Sequence, residues 1–472
     1  MTKRFFLATA FTIGIIIVNA QNEVDALRYS MQNLTGTARY SAMGGAFGSL
    51  GGEFSNLSAN PAGIGMYQYA ELSLSPTIQL NSTKSYFNES HISAYNSKIA
   101  LGSLGIIFSS PQKESDWKRV NFGIGWNQLA SFDKTINIEG VNGQNSIVDR
   151  ILTITDGTLK SDLASGNGNS YSQMAWNTYL IDPAALDGEY ISNFSSDIKR
   201  QSKTINSNGG IHEFLISIGS SYQEKLYIGA TLGVPTIDYY EYSEYTESEI
   251  IDTSNNLRQM MLSEEISAIG TGFNLKAGII YRLSKKTKIG GAIHTPTFFN
   301  IEEDYNTSMT TFFKDSTLYY SMGYLNLFSY ELITPLKASL SASTIYKNIL
   351  ISGEYEVIDY STAEYFTTDF ENINQTISSI YKKAENIRFG TEITLKPFIL
   401  RLGYAKFGSP FIEREISLEN FSYGIGLNNG AYFIDISYIL SKGSNTHLVY
   451  SENPINLIET NHKLLFTLGF RY

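Results

Sequence analysis

Most of the chain alternates between apolar and polar positions, and this period of two is typical of β-strands. The pattern is clearest in residues 119–126, where every second residue is apolar. Helical patterns with a period of 3.6 are scarce, so the sequence predicts an all-β fold. Fourteen alternating segments follow one another to the end of the chain: 71–80, 99–109, 119–139, 212–222, 226–240, 265–283, 287–301, 328–346, 349–360, 385–396, 398–407, 418–428, 431–441 and 461–472.

The breaks between these segments are short and long in turn. Asn429-Gly430 is a strong hairpin turn, because both residues readily take a positive φ. Short turns on one side and long loops on the other are typical of outer-membrane barrels. We therefore predict a 14-stranded antiparallel transmembrane β-barrel over residues 71–472, with both chain ends on the short-turn side. Twelve strands are the alternative count. The long connections are 140–211, 241–264, 302–327, 361–384, 409–417 and 442–460.

The charges within the strands lie on the polar rows, where they can pair across a lumen. A charge in a lipid-facing row would cost about 2–4 kcal/mol at the bilayer midplane, and few strand centres place one there. A closed barrel also leaves no backbone edge unpaired in hydrocarbon. By parity the polar rows include Lys337, Glu354, Glu356, Arg388, Glu392, Arg401, Asp435, Lys463 and Arg471.

The last segment carries an uninterrupted apolar row that ends on the aromatic residue Tyr472. Such a row suits a lipid-facing strand that closes a barrel. It also resembles the C-terminal signal by which bacterial outer-membrane proteins are recognised, so we expect the barrel-assembly machinery to bind this strand. The alternative is an alternating strand that ends the chain by chance.

The first twenty residues have the layout of a secretory signal peptide. Lys3 and Arg4 precede an apolar run at residues 5–18, and a small residue follows at Ala20. A membrane anchor would need about 20 apolar residues, and this run is shorter. We expect cleavage after Ala20 (signal peptide 1–20) and export to the bacterial outer membrane.

Composition excludes several functions. The net charge of −10 argues against nucleic acid as a partner, because phosphate binding needs clustered Lys and Arg. With no cysteine, the chain has no disulfides, thiolate metal sites or cysteine nucleophiles. The histidines show no metal-ligand spacing, and neither a nucleophile elbow nor a Walker loop is present. We therefore expect no cofactor, no metal and no enzymatic activity. The histidines are His91, His212, His294, His447 and His462.

Residues 38–67 follow neither the strand period of two nor the helical period of 3.6, and they hold seven glycines and one Asn-Pro-Ala step. Such a segment has no apolar face of its own to bury, so it must pack against other parts of the protein. We predict that residues 21–70 form an N-terminal hatch, or plug, inside the lumen of the barrel.

With signal, barrel and hatch together, the chain resembles the FadL/TodX family of outer-membrane transporters for long-chain fatty acids and other hydrophobic compounds. The matching residues lie at 38–47, which include Arg39, Gly44 and Gly45, and at 58–63, which contain Asn60, Pro61 and Ala62. The resemblance implies passive uptake of hydrophobic small molecules or lipids past the hatch, with outer-membrane lipid around the barrel.

The family's lateral exit lies at a kinked third strand. In this chain the third segment breaks its alternation after Trp126, where glycines and an irregular pattern suit a bulge or kink. We predict a lateral gate there, and an ordinary rim bulge is the alternative. The gate residues are Asn127, Gln128, Leu129, Ala130 and Ser131.

The long connection 140–211 has enough apolar residues to form short helices over the barrel mouth, or simply to pack on itself. It matches no ligand-binding motif of the family. A second functional reading keeps the fold and makes the barrel a partner-binding component of a protein-secretion machinery. A lipid-modifying enzyme is disfavoured, because no nucleophile constellation is visible.

Overall fold

The structure is a computed structural model that describes residues 22–112, 114–194, 198–250, 256–367, 370–450 and 454–472. The signal peptide predicted at residues 1–20 lies outside the described residues.

Fourteen strands that are neighbours in sequence pair as antiparallel neighbours in one sheet. Three of them, β3, β7 and β8, each consist of two consecutive segments. The strands are β1 (Glu71–Phe87), β2 (Ser90–Pro111), β3 (Trp117–Ser131 and Lys134–Asn142), β4 (Lys199–Tyr222), β5 (Leu226–Glu249), β6 (Leu257–Arg282), β7 (Thr287–His294 and Phe298–Phe313), β8 (Asn326–Ile333 and Lys337–Tyr346), β9 (Ile349–Asp359), β10 (Lys383–Leu395), β11 (Phe398–Phe407), β12 (Ser417–Asn428), β13 (Tyr432–Leu448) and β14 (Pro454–Arg471).

The sheet closes on itself between its first and last strands. Leu72 of β1 lies opposite Phe470 of β14, and the pairing continues up to Tyr86. Backbone bonds between Ala70 and Tyr472 extend the seam. The predicted 14-stranded antiparallel barrel is therefore confirmed.

The two faces of the wall differ as the alternation predicts. Along β1 the outward residues Leu72, Leu74, Ile78 and Leu80 are exposed, whereas the inward residues Ser73, Ser75, Thr77 and Gln79 are buried. On β14 the outward row includes exposed Leu468 and Phe470. The exposed apolar belt is the lipid-facing surface, and the polar rows face the interior.

Several strands are longer than the period-two pattern predicts. The connection predicted at 140–211 spans only the residues between Asn142, where β3 ends, and Lys199, where β4 begins. Likewise β5 continues to Glu249, β7 to Phe313 and β13 to Leu448, so residues predicted as loops there are strand. Above the apolar belt both faces of a strand meet polar surroundings, so the alternation fades while the backbone pairing continues.

Short elements complete the fold. None of the described helices is long and apolar enough to cross a membrane. Two short strands, Ile181–Pro183 and Tyr190–Ser192, pair within the longest loop, Leu318–Met322 extends the β7 hairpin, and Glu364–Tyr365 pairs with β8. The helices are α1 (Glu23–Ser30), α2 (Ala38–Ala42), α3 (Ile147–Thr155), α4 (Lys160–Ser165), α5 (Ser170–Asn177) and α6 (Glu371–Ile380), with 3₁₀ turns at Phe54–Ser58, Pro61–Met66 and Tyr360–Thr362.

Candidate functional site

The N-terminal segment, residues 22–70, packs against the inner face of the barrel. Its apolar residues Met43, Phe47, Leu57 and Ile64 are fully buried. Its polar groups bond inward-facing residues of β10, β9 and β14, and three of these contacts are Arg39–Glu392, Gly48–Glu354 and Ala38–Thr467. The segment therefore depends on the wall for both its apolar and its polar contacts.

Arg39 joins α2 to a chain of inward-facing charges. Its Nε donates to Glu392 Oε2 at 3.0 Å, and Nε of Arg401 donates to the same oxygen at 2.8 Å. Arg401 also pairs with Asp435 at 2.5 Å. Buried charges are stable only when paired, so the predicted site residue Arg39 completes a network that spans three strands and the N-terminal segment.

Glu53 is a buried acidic residue of this segment, and it was missed by sequence reasoning. The Thr37 side chain, which also caps α2, donates to Glu53 Oε1. Burial raises the pKa of Glu53 to about 7, against the opposing effect of nearby Arg39. A single acidic residue in a glycine-rich stretch has no sequence signal that reveals such burial.

Gly44 and Gly45 turn the chain sharply after α2. Both have positive φ, +63° and +78°, which favours glycine. A Cβ on Gly44 would lie 2.9 Å from the backbone oxygen of Tyr404 and 3.1 Å from that of Phe389. The absence of a side chain thus lets this turn contact the wall backbone directly.

Asn60 ties two parts of the N-terminal segment to two strands. Its amide Nδ2 donates to the carbonyl oxygens of Gly48 at 2.5 Å, Ile279 at 3.3 Å and Gly291 at 3.3 Å. Its Oδ1 accepts the backbone N–H of Ala62 at 3.1 Å, which caps the following 3₁₀ turn. The Asn side chain therefore uses donor and acceptor at once, a role that neither Asp nor Ala can fill.

Pro61 and Ala62 sit in a notch made by two wall glycines. A Cβ on Gly229 of β5 would overlap the Pro61 carbonyl, and one on Gly278 of β6 would overlap Asn60 Oδ1. The backbone of the Asn60-Pro61-Ala62 step therefore touches the wall where the wall has no side chains. Next to it, His294 Nε2 lies 2.8 Å from the Ala59 carbonyl oxygen.

A buried ion pair lies beside this contact. Lys276 Nζ is 2.5 Å from Glu213 Oε1, and both side chains are almost fully buried. Ser58 Oγ donates to Glu213 at 2.9 Å and accepts from Asn127 Nδ2 at 2.9 Å. Ser58 thus links the N-terminal segment to β4, to β6 and to the first of the predicted gate residues, a connection that spans too much of the chain to be read from the sequence.

The predicted gate residues form a β-bulge in β3. The register with β4 shifts between Gln128, which lies opposite His212, and Ala130, which lies opposite Ile211. Leu129 is the extra residue, and its side chain packs on the apolar cluster below the loops.

Pairing between β2 and β3 ends at this bulge. The ladder runs from Pro111–Arg119 to Ser103–Asn127, and among the described residues no pairing joins the two strands beyond that point. On the β1 side, β2 stays paired as far as Ser90. The wall therefore has a discontinuity that begins at Asn127 and extends toward the long loops.

The upper half of β3 turns inward behind β1 and β2. Asn81 Nδ2 of β1 donates to the Asp133 carbonyl at 2.7 Å, and Asn88 Nδ2 donates to that of Val141 at 2.7 Å. Lys98 of β2 pairs with Asp133 at 2.7 Å. Polar side chains of the first two strands and of the turn between them thus satisfy part of the edge that β3 no longer shares with β2.

Helix α1 lies among loop residues at the long-loop end, and sequence reasoning missed it. The hydroxyls of Tyr365 and Tyr381 donate to the carbonyls of Asn22 and Glu23, each at 2.9 Å. Leu27 belongs to an apolar cluster that extends from these loops to the bulge. The available signal was the Asn22 cap with acidic residues in the first turn. The cluster also contains Leu129, Ala130, Ile211, Tyr239, Tyr330, Ile377 and Phe411.

A cavity of about 80 Å³ lies between the N-terminal segment and the wall. It is lined by residues 31–36, by Gln128 and Leu129, and by charged residues that include Lys337 and Arg388. In the part of the chain that the structure describes, no group of His, Asp and Glu side chains is placed to hold a metal ion.

Fold and site together define the class: a closed 14-stranded antiparallel barrel with an apolar outer belt and an N-terminal segment folded inside. Solved structures share this fold. The chain matches a Pseudomonas aeruginosa FadL homologue with a TM-score of 0.57, 12% identity and coverage of 94% and 99% of the two chains. It matches the P. putida toluene transporter TodX with a TM-score of 0.55, 10% identity and coverage of 93% and 99%.

The CymD monoaromatic hydrocarbon channel is a further neighbour, with a TM-score of 0.50, 11% identity and coverage of 94% and 100%. No protein-family model matches the sequence, and no curated protein sequence matches it significantly. At these identities the likeness establishes the fold, and the predicted resemblance to FadL/TodX-type barrels is confirmed at that level.

Proposed function

We propose that this protein carries hydrophobic molecules, long-chain fatty acids among them, passively across the bacterial outer membrane. The observation that carries the proposal is the apolar cluster that joins the long loops to the bulge of β3 through α1. It provides an apolar path from the long loops to the wall at the bulge. The solved barrels with this fold are described as a toluene transporter and a monoaromatic hydrocarbon channel, which supports the same substrate class.

Residues 21–70 act as the hatch in this proposal. Side chains fill the apolar path, and the cavity between the N-terminal segment and the wall has a volume of about 80 Å³. Ligand passage therefore requires part of the N-terminal segment to move. The exit is lateral, through the wall between β2 and β3 above Asn127, because that is where the strand pairing ends.

The remaining parts have supporting roles. The signal peptide directs export, the C-terminal strand is read by the barrel-assembly machinery, and the apolar belt contacts membrane lipid. The helices α3 and α5 pack their apolar residues Val148, Ile151 and Met174 into a second cluster at the long-loop end. We assign these helices the first capture of apolar ligands and assign no catalytic step to the protein.

Uptake by intact cells tests the proposal. A strain that lacks the gene, complemented with wild type or with Asn60→Ala plus Pro61→Ala, is given a labelled long-chain fatty acid, labelled toluene or a labelled sugar. We expect wild type to accelerate entry of the two apolar compounds and not of the sugar. Faster sugar entry alone would indicate a porin. If wild type accelerates entry of none of the probes, and a stable protein complex is recovered from native membranes, the hypothesis of a partner in a protein-secretion machinery is favoured.

A further inference from the structure

The wall has an open strand edge at its long-loop end. Leu318–Met322, which we call the edge strand, pairs with residues 308–312 of β7, and no pairing joins it to a second strand among the described residues. The next strand of the wall, β9, pairs with β8 only as far as Lys337 and ends at Asp359, below the edge strand. The far side of the edge strand therefore has no neighbouring strand.

The pairing with β7 fixes which backbone groups of the edge strand are free. The N–H of Gly323 donates to the Thr307 carbonyl at 2.8 Å. Residues of an antiparallel pair bond the partner strand alternately, so the odd-numbered residues of the edge strand bond β7. The N–H groups of Leu318, Tyr320 and Met322 point to the open edge, where none has a partner in the part of the chain that the structure describes.

The side chains of the same residues are apolar and point outward. Leu318, Tyr320 and Met322 are each more than half exposed, and Leu325 and Leu327 continue this apolar strip with similar exposure. An exposed apolar strand edge is a template for pairing with another chain unless charges or proline protect it. The edge strand itself contains neither.

A row of carboxylates separates the strip from the apolar belt. On the outer face of β7 the belt ends at Phe298, and exposed Glu302 and Asp304 follow. Carboxylates avoid hydrocarbon, so the strip lies above the membrane core and lipid chains do not account for it. Residues 298–313 and 318–333 contain no Lys or Arg, so neither strand offers these carboxylates a basic partner.

The edge strand is held in place from its inner side. Ser321 accepts a hydrogen bond from Asn177 Nδ2 of α5 at 3.1 Å. The rings of Tyr319 and Tyr179 contact each other with centroids 4.6 Å apart. A strand that docks here meets an ordered edge, which lowers the entropic cost of binding.

We propose that the edge strand binds an extended segment of a partner polypeptide, which adds one strand to the sheet. Free backbone donors at every second residue suit a polypeptide backbone, and the apolar strip suits alternating apolar side chains. Glu302 and Asp304 call for Lys or Arg at one end of the segment. A second copy of this chain would bring the same carboxylates together and is disfavoured. This site is independent of the proposed transport function.

Peptide binding to the full-length folded protein in detergent tests the proposal. The probe is a fluorescent nonapeptide that alternates Val and Thr and carries two Lys at one end. One control peptide has Glu in place of Lys, and another has methyl groups on its backbone nitrogens. Since each ordinary hydrogen bond changes affinity about five-fold, we expect the Lys peptide to bind at least about ten-fold more tightly than the methylated one. Equal affinities of these two peptides would overturn strand addition.

Two variants separate the backbone from the side chain. Tyr320→Pro removes an N–H that faces the open edge, a position where a strand tolerates proline, whereas Tyr320→Ala keeps the N–H. We expect the Pro variant to bind the Lys peptide about five-fold more weakly than the Ala variant. Asp304→Asn should weaken binding of the Lys peptide and leave that of the Glu peptide equal or tighter. Equal binding by the Pro and Ala variants would contradict the proposal.

Hydrogen exchange in the wild type gives a second answer that needs no variant. Without peptide the Tyr320 amide should exchange fast and the Ser321 amide, which bonds β7, slowly. The Lys peptide at saturation should slow Tyr320 alone. Failure of the peptide to protect Tyr320 would refute the site. A Tyr320 amide that is already protected without peptide would show that a second copy or lipid covers the edge, and would overturn the proposal as well.

Discussion

Arg39 and Glu392, which are 353 residues apart in sequence, are joined inside the barrel by a charged hydrogen bond of 3.0 Å. The same carboxylate also binds Arg401 at 2.8 Å, so Glu392 remains paired when Arg39 is removed. The bond therefore fastens the N-terminal segment to β10, while the wall has its own pairing. This separation makes it possible to loosen the segment without unfolding the barrel.

Arg39→Gln should loosen α2 while the barrel stays folded. Loss of one partner from a buried ion pair costs about 3–5 kcal/mol when the other charge is stranded, and we expect less here because Arg401 compensates Glu392. Hydrogen exchange of the backbone amides of residues 38–42 should accelerate, while exchange in β10 stays slow. Arg200→Gln breaks an exposed pair with Glu139 and serves as the control, with no change in either region.

Gly229→Ala should displace the Asn60-Pro61-Ala62 step from the wall. The new methyl group would overlap the Pro61 carbonyl, and backbone cannot yield as a flexible side chain can. We expect a folded barrel in which protease cleaves the N-terminal segment faster than in wild type. Gly353→Ala is the matched control, since its Cβ would meet the Phe389 ring at an ordinary 3.5 Å and no residue of the N-terminal segment lies among its nearest atoms. Equal resistance to the protease in both variants would show that the Asn60-Pro61-Ala62 step does not depend on its close contact with Gly229.

Asn60→Asp should destabilise the hatch at least as much as Asn60→Ala. The carboxylate keeps the acceptor for Ala62 but points an oxygen, in place of the amide donor, at three carbonyl oxygens. An unsatisfied buried group costs about 1–3 kcal/mol. Hydrogen exchange of residues 60–66 measures the loss, and Asn372→Asp, at an exposed position of α6, is the control. Faster exchange in the Ala variant than in the Asp variant would show that the Asn60 amide donor does not stabilise the hatch.

The barrel was predictable because its determinants repeat along the chain. Lipid on one side and a polar lumen on the other impose a period of two, and Leu72 to Leu80 of β1 follow it without exception apart from Pro76. The charges assigned to the lumen by parity, such as Glu392 and Arg401, are buried and paired there. The ends of several strands were missed because backbone pairing continues above the apolar belt. There neither lipid nor a polar lumen imposes a period of two on the side chains.

The site was only partly predictable. Glycines and the Asn-Pro-Ala step mark residues that touch the wall, since a missing side chain is visible in sequence. The contacts of Ser58 with Glu213 and of Thr35 with Gln128 depend on how a segment without periodicity folds in three dimensions. An irregular stretch after Trp126 indicated the bulge, but the loss of pairing with β2 follows from the neighbouring strand and has no local signal.

The raised pKa of Glu53 predicts a pH dependence of hatch stability. Burial keeps the carboxyl protonated in the folded segment up to a pKa of about 7, whereas in the unfolded segment it ionises near its ordinary value of 4.5. Between these values the folded state binds more protons, so Glu53 favours folding at low pH and this contribution is lost as the pH rises through about 7.

Glu53→Gln should remove this part of the dependence, because glutamine stays neutral. We expect hydrogen exchange of residues 37–42, corrected for the intrinsic rate, to accelerate from about pH 5 to about pH 8 in wild type and to change less in the variant. Glu371→Gln, at an exposed position of α6, controls for the loss of one carboxylate elsewhere. A pH dependence that is the same in wild type and in Glu53→Gln would mean that Arg39 keeps Glu53 ionised across the range, and that α2 is held by a second ion pair in place of a neutral hydrogen-bonded acid.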